Sequence, residues 1–196
     1  MPPRGLWTKG ALPTWTTTEA WLGKPPRKRV TLDVLVLRYL AAFGPASVAD
    51  AQAWCGLTRL REVVERLRPR LVTFQDEQGV ELFDLLDAPR PPEDTPAPVR
   101  FLPQYDNVFL GHADRSRITA ARGSPAVGDN ETVRMLLVDG SLAAFWAAEG
   151  TAKAATLRVT PFSRWNRQTR TEVEAEGLRM LAFLQLRATH EVIVAR

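Results

Sequence analysis

Between Gln104 and Arg117 the chain concentrates polar groups: Gln104, Asp106 and Asn107 in the run Gln-Tyr-Asp-Asn, then His112, Asp114, Arg115 and Arg117 in His-Ala-Asp-Arg-Ser-Arg. One chemistry that fits is a nucleic-acid-facing site in which Arg115 and Arg117 hold phosphates through charge-assisted hydrogen bonds. The other is a buried Asp and Arg pair that fixes an irregular turn, and the residue types leave both open. A second group lies between Thr151 and Arg170, where Lys153, Arg158, Arg164, Arg167 and Arg170 occur without an acid and are interleaved with Phe162 and Trp165. Bases mixed with rings suit a surface that tracks a phosphate backbone and lets an aromatic side chain stack on an exposed base. Trp165 as a core residue is the alternative. The third group is the run Lys24-Pro-Pro-Arg27-Lys28-Arg29. Residues 1–30 hold six Lys and Arg against Glu19 alone, so the chain's formal charge of +4 is concentrated there. Such a segment is either a phosphate-contacting arm or a solvated linker. Its tryptophans, Trp7, Trp15 and Trp21, are expected to dock on something.

Other chemistries lack their residues. There is no phosphate-binding G-x-x-x-x-G-K-[ST], no G-x-G-x-x-G and no G-x-S-x-G, so phosphate-loop and esterase mechanisms are not expected. One cysteine, Cys55, and two histidines, His112 and His190, cannot assemble a four-ligand zinc site of the usual type. Cys55 is read as a buried thiol. No stretch has the length of a membrane span, and no export signal is visible, so a cytoplasmic location without metal, cofactor or membrane is expected.

These groups need elements to position them. Residues 1–29 read as an irregular arm. Residues 30–87 read as a winged helix. Leu32, Leu35, Val36, Tyr39, Leu40 and Phe43 repeat at helical spacing behind the cap Thr31, and Ser47 with Asp50 opens a second helix. Thr58 is expected to cap a third helix carrying Leu60, Val63, Val64 and Leu67, followed by two strands around Asp76–Gly79. That third helix mixes Arg59, Arg61, Arg66 and Arg68 with Glu62 and Glu65. It is the element that would enter a major groove, although Glu62 and Arg66 can also pair on its surface. Residues 88–98 contain five prolines in eleven positions and read as a linker. Residues 99–196 read as a β-rich curled sheet or partial barrel, with strands at Val99–Leu102, Val108–Leu110, Thr132–Val138, Leu142–Trp146, Leu157–Val159 and His190–Ala195, and a helix from Thr171 to Leu186 packed across it. The fold class is α+β.

Several runs resemble a known family: Arg38-Tyr-Leu-Ala-Ala-Phe-Gly-Pro-Ala-Ser-Val-Ala-Asp50, Ala53-Trp-Cys-Gly-Leu57, Val99-Arg-Phe-Leu-Pro-Gln-Tyr-Asp-Asn107, His112-Ala-Asp-Arg-Ser-Arg117 and Leu137-Val-Asp-Gly140. In wording and order they look like the winged-helix DNA-binding proteins of the AlkZ-like DNA glycosylase family, from about Arg4 onward. The resemblance implies tandem winged helices followed by a β-rich domain, and removal of bulky alkylated purines or unhooking of interstrand crosslinks without metal or cofactor. It also implies a catalytic Gln-apolar-Gln or Gln-apolar-Asp motif in the first winged helix. The chain resembles only the last winged helix and the C-terminal domain. Gln104-Tyr105-Asp106 has the letters of the second motif form in the wrong context, so no catalytic residue carries over. The expectation is a double-stranded-DNA-engaging C-terminal part, inactive alone, whose partner is a missing N-terminal winged-helix region. Its DNA-binding residues would be Lys24, Arg27, Lys28, Arg29, Arg59, Arg115, Arg117, Arg164 and Arg167, with nucleoid association following from DNA binding. A free-standing winged-helix regulator and a protein-interaction module are the alternatives.

Overall fold

The structure, a computed structural model, describes residues 15–25, 30–119, 133–151, 153–184 and 188–195. Within the first of these, Thr18–Leu22 forms a short helix, α1, because Thr17 accepts a hydrogen bond from the Ala20 N–H and Gly23 closes it in the left-handed conformation. The arm read as irregular therefore contains one ordered turn. Trp15 and Trp21 are exposed on it; Trp7 lies outside the described residues.

Three helices and a hairpin follow. α2 (Leu32–Phe43) is capped by Thr31 and buries Val36, Tyr39 and Leu40. α3 (Val48–Cys55) opens with a complete capping box, in which the Ser47 hydroxyl accepts from the Asp50 N–H and the Asp50 carboxylate accepts from the Ser47 N–H. α4 (Leu60–Leu67) buries Leu60, Val63, Val64 and Leu67 on one face. Its start differs from the expectation. Thr58 does not cap it: Arg59 occupies the capping position with a positive φ of 62° and no side-chain cap, and Gln52 on α3 accepts from the Leu60 N–H at 3.0 Å. A 3-10 turn then leads into β1 (Leu71–Gln75), which pairs antiparallel with β2 (Glu81–Leu85). The connection is tied by the Asp76 carboxylate, which accepts from the Gln78 and Val80 N–H groups. A bridge between Ala46 and Phe83 fastens the α2–α3 link to β2, and Phe83 lies in the same core as the three helices.

The backbone from 86 to 99 has neither helix nor strand. Beyond it a five-stranded sheet runs in the order β3 (Arg100–Phe101), β4 (Arg134–Val138), β5 (Ser141–Gly150), β6 (Ala154–Pro161) and β7 (Thr189–Val194). β4 turns into β5 through Asp139 and Gly140, both at positive φ, as a tight hairpin of this sequence requires. Among the described strand pairs only β6–β7 is parallel, so the chain must cross over between them, and it does so through helix α7 (Arg167–Leu184). α7 begins a turn earlier than the expected Thr171. Asn166 accepts from the Thr169 N–H and does the capping, while the Thr171 hydroxyl donates back to the Arg167 carbonyl. A second correction concerns Val108–Leu110, expected as a strand. Asp106 accepts from the Val108 N–H and starts a short helix, α5 (Asn107–Leu110), followed by α6 (Ser116–Thr119).

The sheet is covered on both faces. On one, Val173 and Leu181 of α7 meet Leu136, Ala144, Leu157 and Val159. On the other, Phe109 of α5 packs with Leu102, Met135, Leu137 and Leu142. α7 can lie this close because residue 177 is glycine: a Cβ there would stand 2.7 Å from a Leu157 methyl and 3.0 Å from a Val192 methyl. A Gly177→Leu variant is therefore expected to lose about 2–3 kcal/mol of stability, the overpacking outweighing its better helix propensity. Urea unfolding followed by far-UV circular dichroism measures this, and an unchanged midpoint would contradict the close approach. No described helix is long and apolar enough to cross a membrane, and no cluster of three or more metal-binding side chains occurs among the described residues.

Candidate nucleic-acid interface

The arginines in and beside α4 are largely spent on pairs within the protein. Arg68 donates to Glu65 at 2.7 Å and to Glu81 of β2 at 2.8 Å, and Arg61 reaches Glu65 at 3.4 Å. Arg66 pairs not with Glu62 but with Asp33 of α2, at 2.5 Å. The hydrogen bond from Arg68 holds the Glu65 carboxyl below its usual range, and the one from Arg66 does the same for Asp33. These pairs are solvent-exposed and each adds little stability, but they neutralise the face that would meet a major groove. Arg59 is exposed at the start of α4 and has no ion-pair partner among the described residues.

Gln104–Arg117 is gathered by the fold, mainly to weld the sheet to the helices. Asp106 caps α5, and Asp114 accepts from the Ser116 N–H and hydroxyl. His112 Nε2 lies 3.0 Å from the Phe43 carbonyl, and its ring meets the Phe43 ring edge-on. The Arg115 guanidinium sits 4.4 Å from the centre of the Phe109 ring. Arg117 points both terminal nitrogens at the Pro45 carbonyl, at 3.4 Å. Gln104 and Asn107 are exposed.

The acid at the centre of this joint is one that the motif does not contain. Asp50 is 3% exposed; one carboxylate oxygen accepts from the Ser47 N–H and hydroxyl, and the other from the Ala113 N–H at 2.8 Å and the Asp114 N–H at 3.3 Å. Burial pushes its pKa up, yet the hydrogen bonds from Ser47, Asp114 and Ala113 outweigh burial and hold it below the ordinary carboxylate value. Buried Tyr39 adds a second tie, donating its phenol hydrogen to the Gly111 carbonyl at 2.7 Å. Burial raises its pKa well above the phenol's usual value, so the donor keeps its proton. The sequence marks Asp50 as a helix cap; nothing local indicates that its second oxygen reaches sixty residues ahead.

Charge is unevenly distributed over the surface. A cleft of about 520 Å³ between the β1–β2 tip and the 114–117 turn is lined by Asp50, Asp76, Glu77 and Asp114, with Arg117 the one basic side chain among the described residues on its wall. At the passage from β6 into α7 the balance reverses. Arg164 and Arg167 are exposed, and Arg158 is exposed on β6 opposite Ala147. Arg170 turns inward and donates to the Val194 and Ala195 carbonyls, at 3.1 Å each. Trp165 is half-buried, packed against the sheet core. Lys24 is exposed; Arg27, Lys28 and Arg29 lie outside the described residues.

A family model described as DNA glycosylase AlkZ-like matches residues 1–183. No curated protein matches the chain at a significant level. The solved structure of Streptomyces sahachiroi DNA glycosylase AlkZ is similar to it with a TM-score of 0.65 at 22% identity, over 84% of this chain and 45% of that one. The likeness is one of fold, and the chain spans less than half the length of that relative.

Proposed function

The chain belongs to the AlkZ-like DNA glycosylase family, and from that premise we propose that it is the C-terminal, DNA-engaging part of such a repair protein, with double-stranded DNA as its partner. In this reading α2, α3, α4 and the β1–β2 hairpin form a winged helix, with residues 30–87 as one domain and 99–196 as a second. The remaining winged-helix region of the repair protein is the proposed second partner. The whole assembly would act on alkylated purines, whose positively charged ring is already a good leaving group and asks mainly for positioned oxygens and water.

The observation that carries this reading is the segregation of charge. Arg164 and Arg167 are exposed at the β6–α7 passage and Arg158 on β6, whereas the cleft at the hairpin tip is acidic. A phosphate backbone is attracted to the first surface and repelled from the second. Arg59 and the run Lys24, Arg27, Lys28 and Arg29 extend the basic set in this proposal. Arg115 and Arg117 contribute less, being held by Phe109 and the Pro45 carbonyl.

The test is duplex binding measured over a salt series. Neutralising Arg164 and Arg167 to glutamine, together with Lys24, Arg27, Lys28 and Arg29, is expected to weaken binding at least tenfold and to flatten the slope of log affinity against log salt by about 0.9 for each phosphate contact removed. Equal affinity and slope in wild type and variant would overturn the map. Failure of the wild type to bind duplex at low salt would overturn the function.

A further inference from the structure

Beside the basic passage lies a pocket that phosphate contact leaves unexplained. It has a volume of about 310 Å³ and is lined by Pro161, Ser163, Arg164, Trp165, Arg170 and Ala195. That volume is at the lower end of small-molecule sites. Its walls combine an indole, a proline ring and a methyl group with an exposed guanidinium, and Arg164 has no ion-pair partner among the described residues. Trp165 is anchored on its core side, so the ring is held in place before any ligand arrives. Arg170 is fixed as well, by its bonds to the Val194 and Ala195 carbonyls.

An aromatic ring on a mostly apolar pocket wall suits a flat apolar partner, and among the groups DNA carries only a base is one. Bases inside a paired duplex are already stacked on one another and cannot enter a pocket of this size. A base that is unpaired can, and its phosphate then falls within reach of Arg164. Resting on the DNA-binding reading above, we infer that the Trp165 pocket is a subsite for one unpaired nucleotide at the edge of a duplex, with the base on the indole and the adjoining phosphate on Arg164. The protein therefore prefers duplex bearing a single-stranded extension over blunt duplex.

The experiment compares two labelled probes, a blunt duplex and the same duplex with a short oligothymidine overhang, by fluorescence anisotropy at one salt concentration. The overhang is expected to bind about tenfold more tightly, in line with the worth of one base stacked on an aromatic ring. Ser163 is exposed, so Ser163→Trp fills the pocket without touching the core. It is expected to abolish the preference while leaving blunt-duplex affinity within twofold. Arg164→Ala is expected to reduce it as well, and circular dichroism identifies a variant that has simply unfolded. Equal binding of both probes by the wild type, with normal salt dependence, would overturn the subsite and leave the DNA-binding function standing. Retention of the preference in a folded Ser163→Trp variant would also overturn it. Binding of neither probe would overturn the function and the subsite together.

Discussion

Replacing Asp50 with alanine is expected to destabilise the protein by about 3–5 kcal/mol and to loosen the joint between the helices and the sheet. The carboxylate accepts from Ser47 twice and from Ala113 and Asp114 once each. Truncation leaves these donors without their acceptor in a place that is 3% open to water. An unsatisfied buried donor costs about 1–3 kcal/mol, far more than the modest net value of a made hydrogen bond. Acid should have a related effect. The folded-state pKa of Asp50 lies below the ordinary value of 3.8, so its contribution is complete at neutral pH, begins to fade as pH falls past that value, and is lost on passing through the depressed folded pKa. Denaturant midpoints in wild type and Asp50→Ala at neutral pH measure the first effect, and midpoints at neutral pH and near pH 3 in wild type and Asp50→Asn the second. The variant should be less stable at neutral pH and less sensitive to acid. An Asp50→Ala midpoint equal to that of the wild type would contradict the hub.

The second expected result is catalytic silence: the purified chain should release no base from DNA containing N7-methylguanine. The Gln104-Tyr105-Asp106 run has a carboxylate and an amide at the spacing of a glycosylase motif. Asp106, however, commits Oδ1 to the Val108 N–H at 2.8 Å to start α5, and Tyr105 takes a positive φ of 59° to bring it there. Removing one positioned electrostatic group from an active site commonly costs about 100- to 1000-fold in rate, so a carboxylate engaged as a helix cap leaves little of that kind of catalysis. Base release measured beside a Gln104→Ala, Asp106→Ala double variant decides the matter. Activity in the parent that disappears in the folded double variant would make the run catalytic. For the double variant the expected change is a loss of stability of about 1 kcal/mol, the usual value of a helix cap.

What the sequence determined by itself was whatever closes within a turn or two. Thr31, the Ser47 and Asp50 box, the Asp76 turn and Asp139-Gly140 each satisfy backbone groups two to four residues away, so their chemistry is complete in a short window and the resulting elements are where the spacing places them. The three helices and the hairpin from 31 to 86 were legible for this reason, as was a long helix after β6. Where a distant group competes, the local reading failed. Thr58 looks like a cap, but Gln52, eight residues back, takes the Leu60 N–H. Val108–Leu110 has the residues of a strand, but the Asp106 cap and the packing of Phe109 on the sheet make it a helical turn.

Tertiary structure alone decided which charges remained available. Arg66 and Glu62 stand at helical pairing distance, yet Arg66 is drawn to Asp33, and Arg68 divides itself between Glu65 and Glu81, thirteen residues away. The same holds for the polar run at 104–117, where the Ala113 and Asp114 N–H groups are taken by an acid more than sixty residues earlier. Apolar periodicity reports which side of an element faces inward. It contains no information on which element will lie opposite, and a charge becomes a structural tie or a free contact according to that neighbour.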